Sequence, residues 1–101
     1  MTLARIVLVK LQPEQANAGG RAALAASVRA ALGADPELLA LRVELPADAD
    51  AERSWDVALR LELPSPEAFE RLAAREHYRG LFERDLPARA VVVKAWSFVP
   101  A

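Results

Sequence analysis

Residues Trp55–His77, WDVALRLELPSPEAFERLAAREH, decide the fold. Trp55, Val57, Leu59, Leu61 and Leu63 alternate with Asp56, Ala58, Arg60 and Glu62. That period of two makes one face of a strand apolar and the other mixed. Pro64 stops the strand, Ser65 reads as an N-cap, Pro66 as the first helical residue and Glu67 as a first-turn acid. Phe69, Leu72, Ala73 and Glu76 then share one stripe of a helix of about three turns, with His77 where it ends. An apolar strand face followed by an apolar helix stripe predicts that this helix covers this strand.

Working outward, Ala4–Leu11 is a strand rich in β-branched residues and apolar on both sides, as a central strand should be. Arg21–Leu32 repeats with helical period, Leu24, Val28, Ala31 and Leu32 forming its stripe and Gly33 its stop, while Gly19-Gly20 weakens its start. Leu38–Leu45 alternates as a second strand whose odd positions face the core. Pro46–Arg53 is acidic and reads as a mobile, solvated loop. After His77, Leu81–Asp85 reads as one more helical turn, and Ala88–Phe98 as the last strand.

The order β-α-β-β-α-β, with right-handed crossovers, gives an α+β, ferredoxin-like domain spanning 1–101. It has a four-stranded antiparallel sheet of order 4-1-3-2 with both helices on one face. The opposite face then collects Ile6, Leu8, Lys10, Arg60, Val92, Lys94, Trp96 and Phe98. That apolar patch is larger than a soluble monomer usually leaves bare, and a two-fold homodimer packed sheet against sheet would cover it.

Composition narrows the function classes. Thirteen basic residues stand against fourteen acidic ones, interspersed, and this balance lacks the basic stripe that phosphate neutralisation requires. A base-stacking RNA module of this strand order would need aromatics where Ile6, Leu8, Ala58 and Arg60 stand. No apolar run reaches membrane-spanning length, and Arg5 and Lys10 interrupt what would be a leader. No cysteine is present, and no metal cluster, phosphate loop or nucleophile elbow appears. The expectation is a cytoplasmic protein without metal, cofactor, nucleic acid or membrane partner.

The pattern R-I-V-L-V-K-L in the first strand, W-D-V-A-L-R-L-E-L-P-S-P-E-A-F, then R-E-H, and V-V-V-K-A-W near the end resembles the stress-responsive A/B barrel (Dabb) family over nearly the whole chain. The resemblance implies a dimeric α+β barrel. Some members are polyketide-type cyclases that use a histidine between sheet and helices, while others have no assigned reaction. His77 matches the second histidine of the family's H-P-x-H string, whereas Ala74 and Arg75 depart from it. Arg71 and Arg5 replace the tyrosine and first-strand histidine of the cyclase type, so the resemblance implies that type's cyclisation only weakly.

Two functions follow as expectations. The first is a homodimer binding a small apolar or aromatic molecule between sheet and helices, with His77 in acid–base chemistry and Arg5 neutralising a carboxylate or enolate. Its pocket is expected from Val7, Val9, Leu24, Val28, Leu59, Leu61, Phe69, Leu72, Tyr78, Phe82, Val91 and Val93, residues that serve equally as core. The competing roles are a helix-end cap for His77, a surface position for Arg5, and solvated Asp56 and Glu76. The second function is a non-catalytic, stress-associated protein acting through its dimer. A cofactor-independent oxygenase of the same barrel class is a third, lacking the extra polar pocket residues.

Overall fold

A computed structural model describes all residues, Met1–Ala101. Its strands are β1 (Leu3–Leu11), β2 (Ala40–Glu44), β3 (Val57–Leu63) and β4 (Ala90–Phe98). Its helices are α1 (Ala18–Leu32), α2 (Ala49–Ser54), α3 (Pro66–Ala73), α4 (Glu76–Gly80) and α5 (Leu86–Arg89), the last two joined by a π-turn at Leu81–Asp85. The sheet order is β2-β3-β1-β4, every pair antiparallel, as the sequence order requires.

The period-two reading of β3 holds along its length: Val57, Leu59, Leu61 and Leu63 are buried and the residues between them are not. They face Leu3, Val7 and Val9 of β1 and Leu24, Val28 and Leu32 of α1, forming one apolar cluster with Ala68, Leu72, Tyr78, Leu81 and Leu86. Each fully buried leucine or valine contributes about 1.5–3 kcal/mol relative to exposure. Ser65 caps α3, its hydroxyl accepting from the Ala68 amide, with Pro66 following.

Four expectations change. The Gly19-Gly20 pair lies inside α1, capped by Asn17, whose side chain accepts from the Gly20 amide. A Cβ on Gly20 would stand 1.8 Å from the Gln15 carbonyl oxygen, so the glycine permits a 3-10 turn (Pro13–Gln15) to lie against the helix start. The acidic stretch expected to be a loop contains α2, because the Asp48 carboxylate accepts from the Ala51 amide and Asp50 and Glu52 sit in the first turn. β2 is shorter than Leu38–Leu45, with Leu39 and Leu45 exposed and Leu41 and Val43 half-buried, because it is an edge strand only partly covered.

Asp56 is the fourth. Far from being solvated, it is buried at the start of β3 and accepts from the Leu11 amide at 2.8 Å and from Arg21 Nε and Nη2 at 3.1 and 2.9 Å. Its own amide donates to the Val9 carbonyl, so one residue ties β1, α1 and β3 together. The strand therefore opens at Val57, two residues later than Trp55, which instead closes α2.

No helix is long and apolar enough to cross a membrane.

Candidate functional site

The helix α3 and the turn between α1 and β2 meet through charge. The Asp35-Pro36-Glu37 turn presents two carboxylates to Arg71, in the last turn of α3, and to Arg75, the extended residue that precedes α4. Arg75 donates from Nη1 to both Asp35 oxygens at 2.8 and 3.0 Å and from Nη2 to Glu37 at 2.8 Å. Arg71 forks onto Glu37 through Nε and Nη2 at 3.0 and 3.1 Å. His77 Nε2 lies 2.6 Å from Asp35 Oδ2; the aspartate side chain is fully buried while the imidazole is 41% exposed.

Burial works to raise the Asp35 pKa, but the Glu37 amide, His77 and Arg75 together outweigh it and hold the carboxyl below its ordinary value. The paired arginines bring Glu37 down to about 2. Asp35 is therefore an ionised acceptor at neutral pH. An ionised carboxylate only accepts, so a neutral His77 carries its proton on Nε2 and leaves the Nδ1 lone pair free.

Arg5, the second expected site residue, lies elsewhere. Its guanidinium carbon sits 5.0 Å from the Phe69 ring centroid, within cation–π range, and its Nη1 donates to Ser97 Oγ at 3.1 Å. Arg5 Nε is the single buried side-chain nitrogen or oxygen without a hydrogen-bond partner. Such an orphan costs about 1–3 kcal/mol, more when charged. Tyr78 meets Phe69 edge-on at 5.9 Å and stacks on Phe82 at 4.3 Å. Burial pushes the Tyr78 phenol up, with Arg5 pulling the other way.

No hydrogen bond or ion pair joins Arg5 to His77. His77 turns outward to Asp35 while its neighbour Tyr78 turns inward beside Arg5. Glu76 is exposed and pairs with Arg84, not with His77. The sequence reading missed Asp35, Glu37 and Ser97. An acidic D-P-E turn and an R-x-x-x-R spacing were its only traces.

The helix–sheet space expected to hold a pocket is packed. Val7, Val9, Leu24, Val28, Leu59, Leu61 and Leu72 are core, with Phe69 and Phe82 against them. Val91 is 60% exposed and Val93 36%, both on β4, the sheet's other edge. A register shift between Lys10 and Leu11 also makes Val91 an extra residue in its strand. The two concavities lie on other surfaces. One of about 390 Å³ involves Leu3, Ala4, Leu39, Glu62, Phe98 and Val99 at one end of the sheet. One of about 200 Å³ involves Leu8, Ala58, Trp55 and the α2 segment.

Solved structures share this architecture. A Dabb family protein with a ferredoxin-like fold from Mesorhizobium loti matches with a TM-score of 0.82 at 10% identity, covering 99% of this chain and 97% of its own. A dimeric ferredoxin-like protein of unknown function from Thermobifida fusca matches at 0.76 with 17% identity, covering 99% and 92%. The hydroxynitrile lyase of Passiflora edulis matches at 0.80 with 12% identity, covering 99% and 94%. No protein-family model and no curated protein matches the sequence. At such identities the likeness shows fold. The chain is an α+β domain with the ferredoxin-like fold, the fold it shares with that Dabb family protein.

Proposed function

We propose that the protein is a homodimer whose His77, oriented by Asp35, moves a proton to or from a small, partly apolar molecule. The observation that carries this reading is the 2.6 Å contact between a half-exposed imidazole and a fully buried, ionised carboxylate. Such a pair fixes tautomer and ring orientation, which is what a general base needs. With the helix–sheet core filled, the molecule approaches His77 from its exposed side, past Arg71 and Arg75. The fold is shared with a hydroxynitrile lyase, so it is compatible with chemistry on small molecules.

A nitrobenzisoxazole tests the proton step, because removal of its ring proton opens the N–O bond and releases a coloured phenolate. Turnover by the intact chain, abolished in His77→Ala and reduced in Asp35→Asn, is the expected result. Equal rates in all three end the catalytic reading.

One observation favours a second reading, a non-catalytic protein acting through its dimer. Trp96 and Phe98 are 46% and 58% exposed on the outer sheet face. On that face Arg42 stands directly opposite Arg60, a destabilising like-charge pair. Neither these arginines nor Glu44 and Glu62 belong to any ion pair within the chain. A two-fold partner laid on this face brings acids to the arginines and covers the aromatics. Light scattering on the eluting protein reads the dimer directly. A monomer at micromolar concentration removes this reading and the homodimer of the first.

A further inference from the structure

We infer that the two concavities of the outer sheet face are sockets for a second copy of this chain, whose β4 lies across β2 with the two-fold axis along the strands. This rests on the homodimer reading and supplies its register.

The strand pairing fixes which outer-face residues stand side by side. Across β2-β3-β1-β4, one row is Ala40, Glu62, Ala4 and Phe98, and the next is Arg42, Arg60, Ile6 and Trp96. Glu44, Ala58, Leu8 and Lys94 form the third. Packing two such faces by a two-fold leaves few axes to choose from. An axis across the strands reverses the rows, and it lays Arg42 and Arg60 on the partner's Arg42 and the partner's Arg60. An axis along either diagonal lays a corner on itself, Lys94 on the partner's Lys94 or Glu44 on the partner's Glu44. All three oppose like charges. An axis along the strands keeps the rows, setting β2 over the partner's β4 and β3 over the partner's β1.

That last arrangement matches the face to itself along both edges. Glu44 meets the partner's Lys94, and neither belongs to an ion pair within the chain. Lys10, the other lysine, is already held by the Arg53 carbonyl, so Lys94 is the free ammonium. It enters the concavity of about 200 Å³, which Glu44, Asp48 and Trp55 line with two carboxylates and an indole. Arg42 meets the partner's exposed Trp96, a cation over an aromatic face. The partner's Phe98, also exposed, comes down over Ala40, whose small side chain leaves room. There it stands beside Leu39 and Glu62, which line the concavity of about 390 Å³. Arg60 and the partner's Glu62 flank the axis one row apart, within reach of long side chains.

Sedimentation equilibrium of the full chain and its charge-reversed variants tests the register. Glu44→Lys and Lys94→Glu should each weaken self-association by about tenfold or more, since two symmetry-related attractions become repulsions. Both residues are exposed, so neither reversal disturbs the core. The double variant should return to within about threefold of the unsubstituted chain. Within one chain the two residues sit on opposite edge strands, so that rescue can pass only between copies. Glu44→Lys with Arg29→Glu, on α1, restores net charge without the pair and should stay weak. Rescue by Arg29→Glu as complete as by Lys94→Glu overturns the pairing. The chain has no cysteine, so an Arg42→Cys variant carries one thiol per copy. Under the inferred axis those thiols sit at far edges, and a short bismaleimide should leave them unjoined. Efficient joining places the axis across the strands and overturns the register. A dimer that neither reversal loosens also overturns it, while leaving the homodimer standing. An unsubstituted chain that stays monomeric at micromolar concentration removes both.

Discussion

The two faces of one sheet differ in how far they are satisfied by their own chain. The helix side is packed: β3 and β1 set alternate side chains into an apolar layer tied at its ends by Asp56 and by the Asp35 turn, and only the buried Arg5 Nε is left without a partner. The outer side is unfinished. It carries exposed Trp96 and Phe98, two facing arginines and two acids without partners. The same four strands build both faces, so the contrast comes from side-chain choice alone. One face specifies the fold, and the other is the one the proposed homodimer would cover.

Substitutions break or sharpen that contrast, in descending order of effect. Asp56→Ala strands the Leu11 amide and Arg21 in a buried site, and urea unfolding should show a loss of about 3–5 kcal/mol. Leu72→Ala, a cavity in the packed layer, should cost about 2–5 kcal/mol in the same measurement. A comparable loss from Trp96→Ala in the dissociated chain would mean that the outer face also belongs to the fold. Arg60→Glu should instead dissociate the proposed dimer by light scattering, while monomer stability moves within about 0.5 kcal/mol. Adding Glu62→Arg to Arg60→Glu restores the charge count of the face and should restore the dimer. A double variant as monomeric as the single one contradicts charge pairing across the two-fold.

The smallest effect is on acid stability. Glu37 has its folded pKa lowered from an ordinary 4.5 to about 2, and Asp35 is also lowered. Groups with depressed folded pKa values stabilise fully above their unfolded values, and that stability fades as pH falls through the folded ones. Stability should therefore decline from about pH 4.5 toward pH 2. Glu37→Gln should flatten that decline, the exposed part of the cluster contributing little at neutral pH. An unchanged acid limb in Glu37→Gln removes the assignment.

The fold was legible because β3 and α3 each carry one uninterrupted period, and the strand order follows from the element order. The outer face was legible for the same reason, since period two fixes both faces at once. The site was not. His77 was visible as a lone histidine, but its partner Asp35 comes from a turn forty-two residues away, and no local pattern links them. Arg71 and Arg75 stood out only as departures from a family string, yet those departures supply the cations that hold the turn. Asp56 was misread because alternation assigns it to the solvent face. The strand begins one residue later, which frees Asp56 to serve as a buried acceptor. Val91 failed for a parallel reason: one extra residue in a strand shifts everything before it, and composition carries no sign of it.

That extra residue also bears on how many copies can assemble. A sheet has two open edges, and an edge that can accept another strand invites growth without limit. Here β2 is only five residues long and lies between Pro36 and Pro46, while β4 is kinked at Val91 and lies between Pro87 and Pro100. The β2 edge is short, and the longer β4 edge is interrupted near its start by that extra residue. A two-fold pairing of the outer faces, as proposed above, would close on itself and leave these interrupted edges as the remaining route for strand addition.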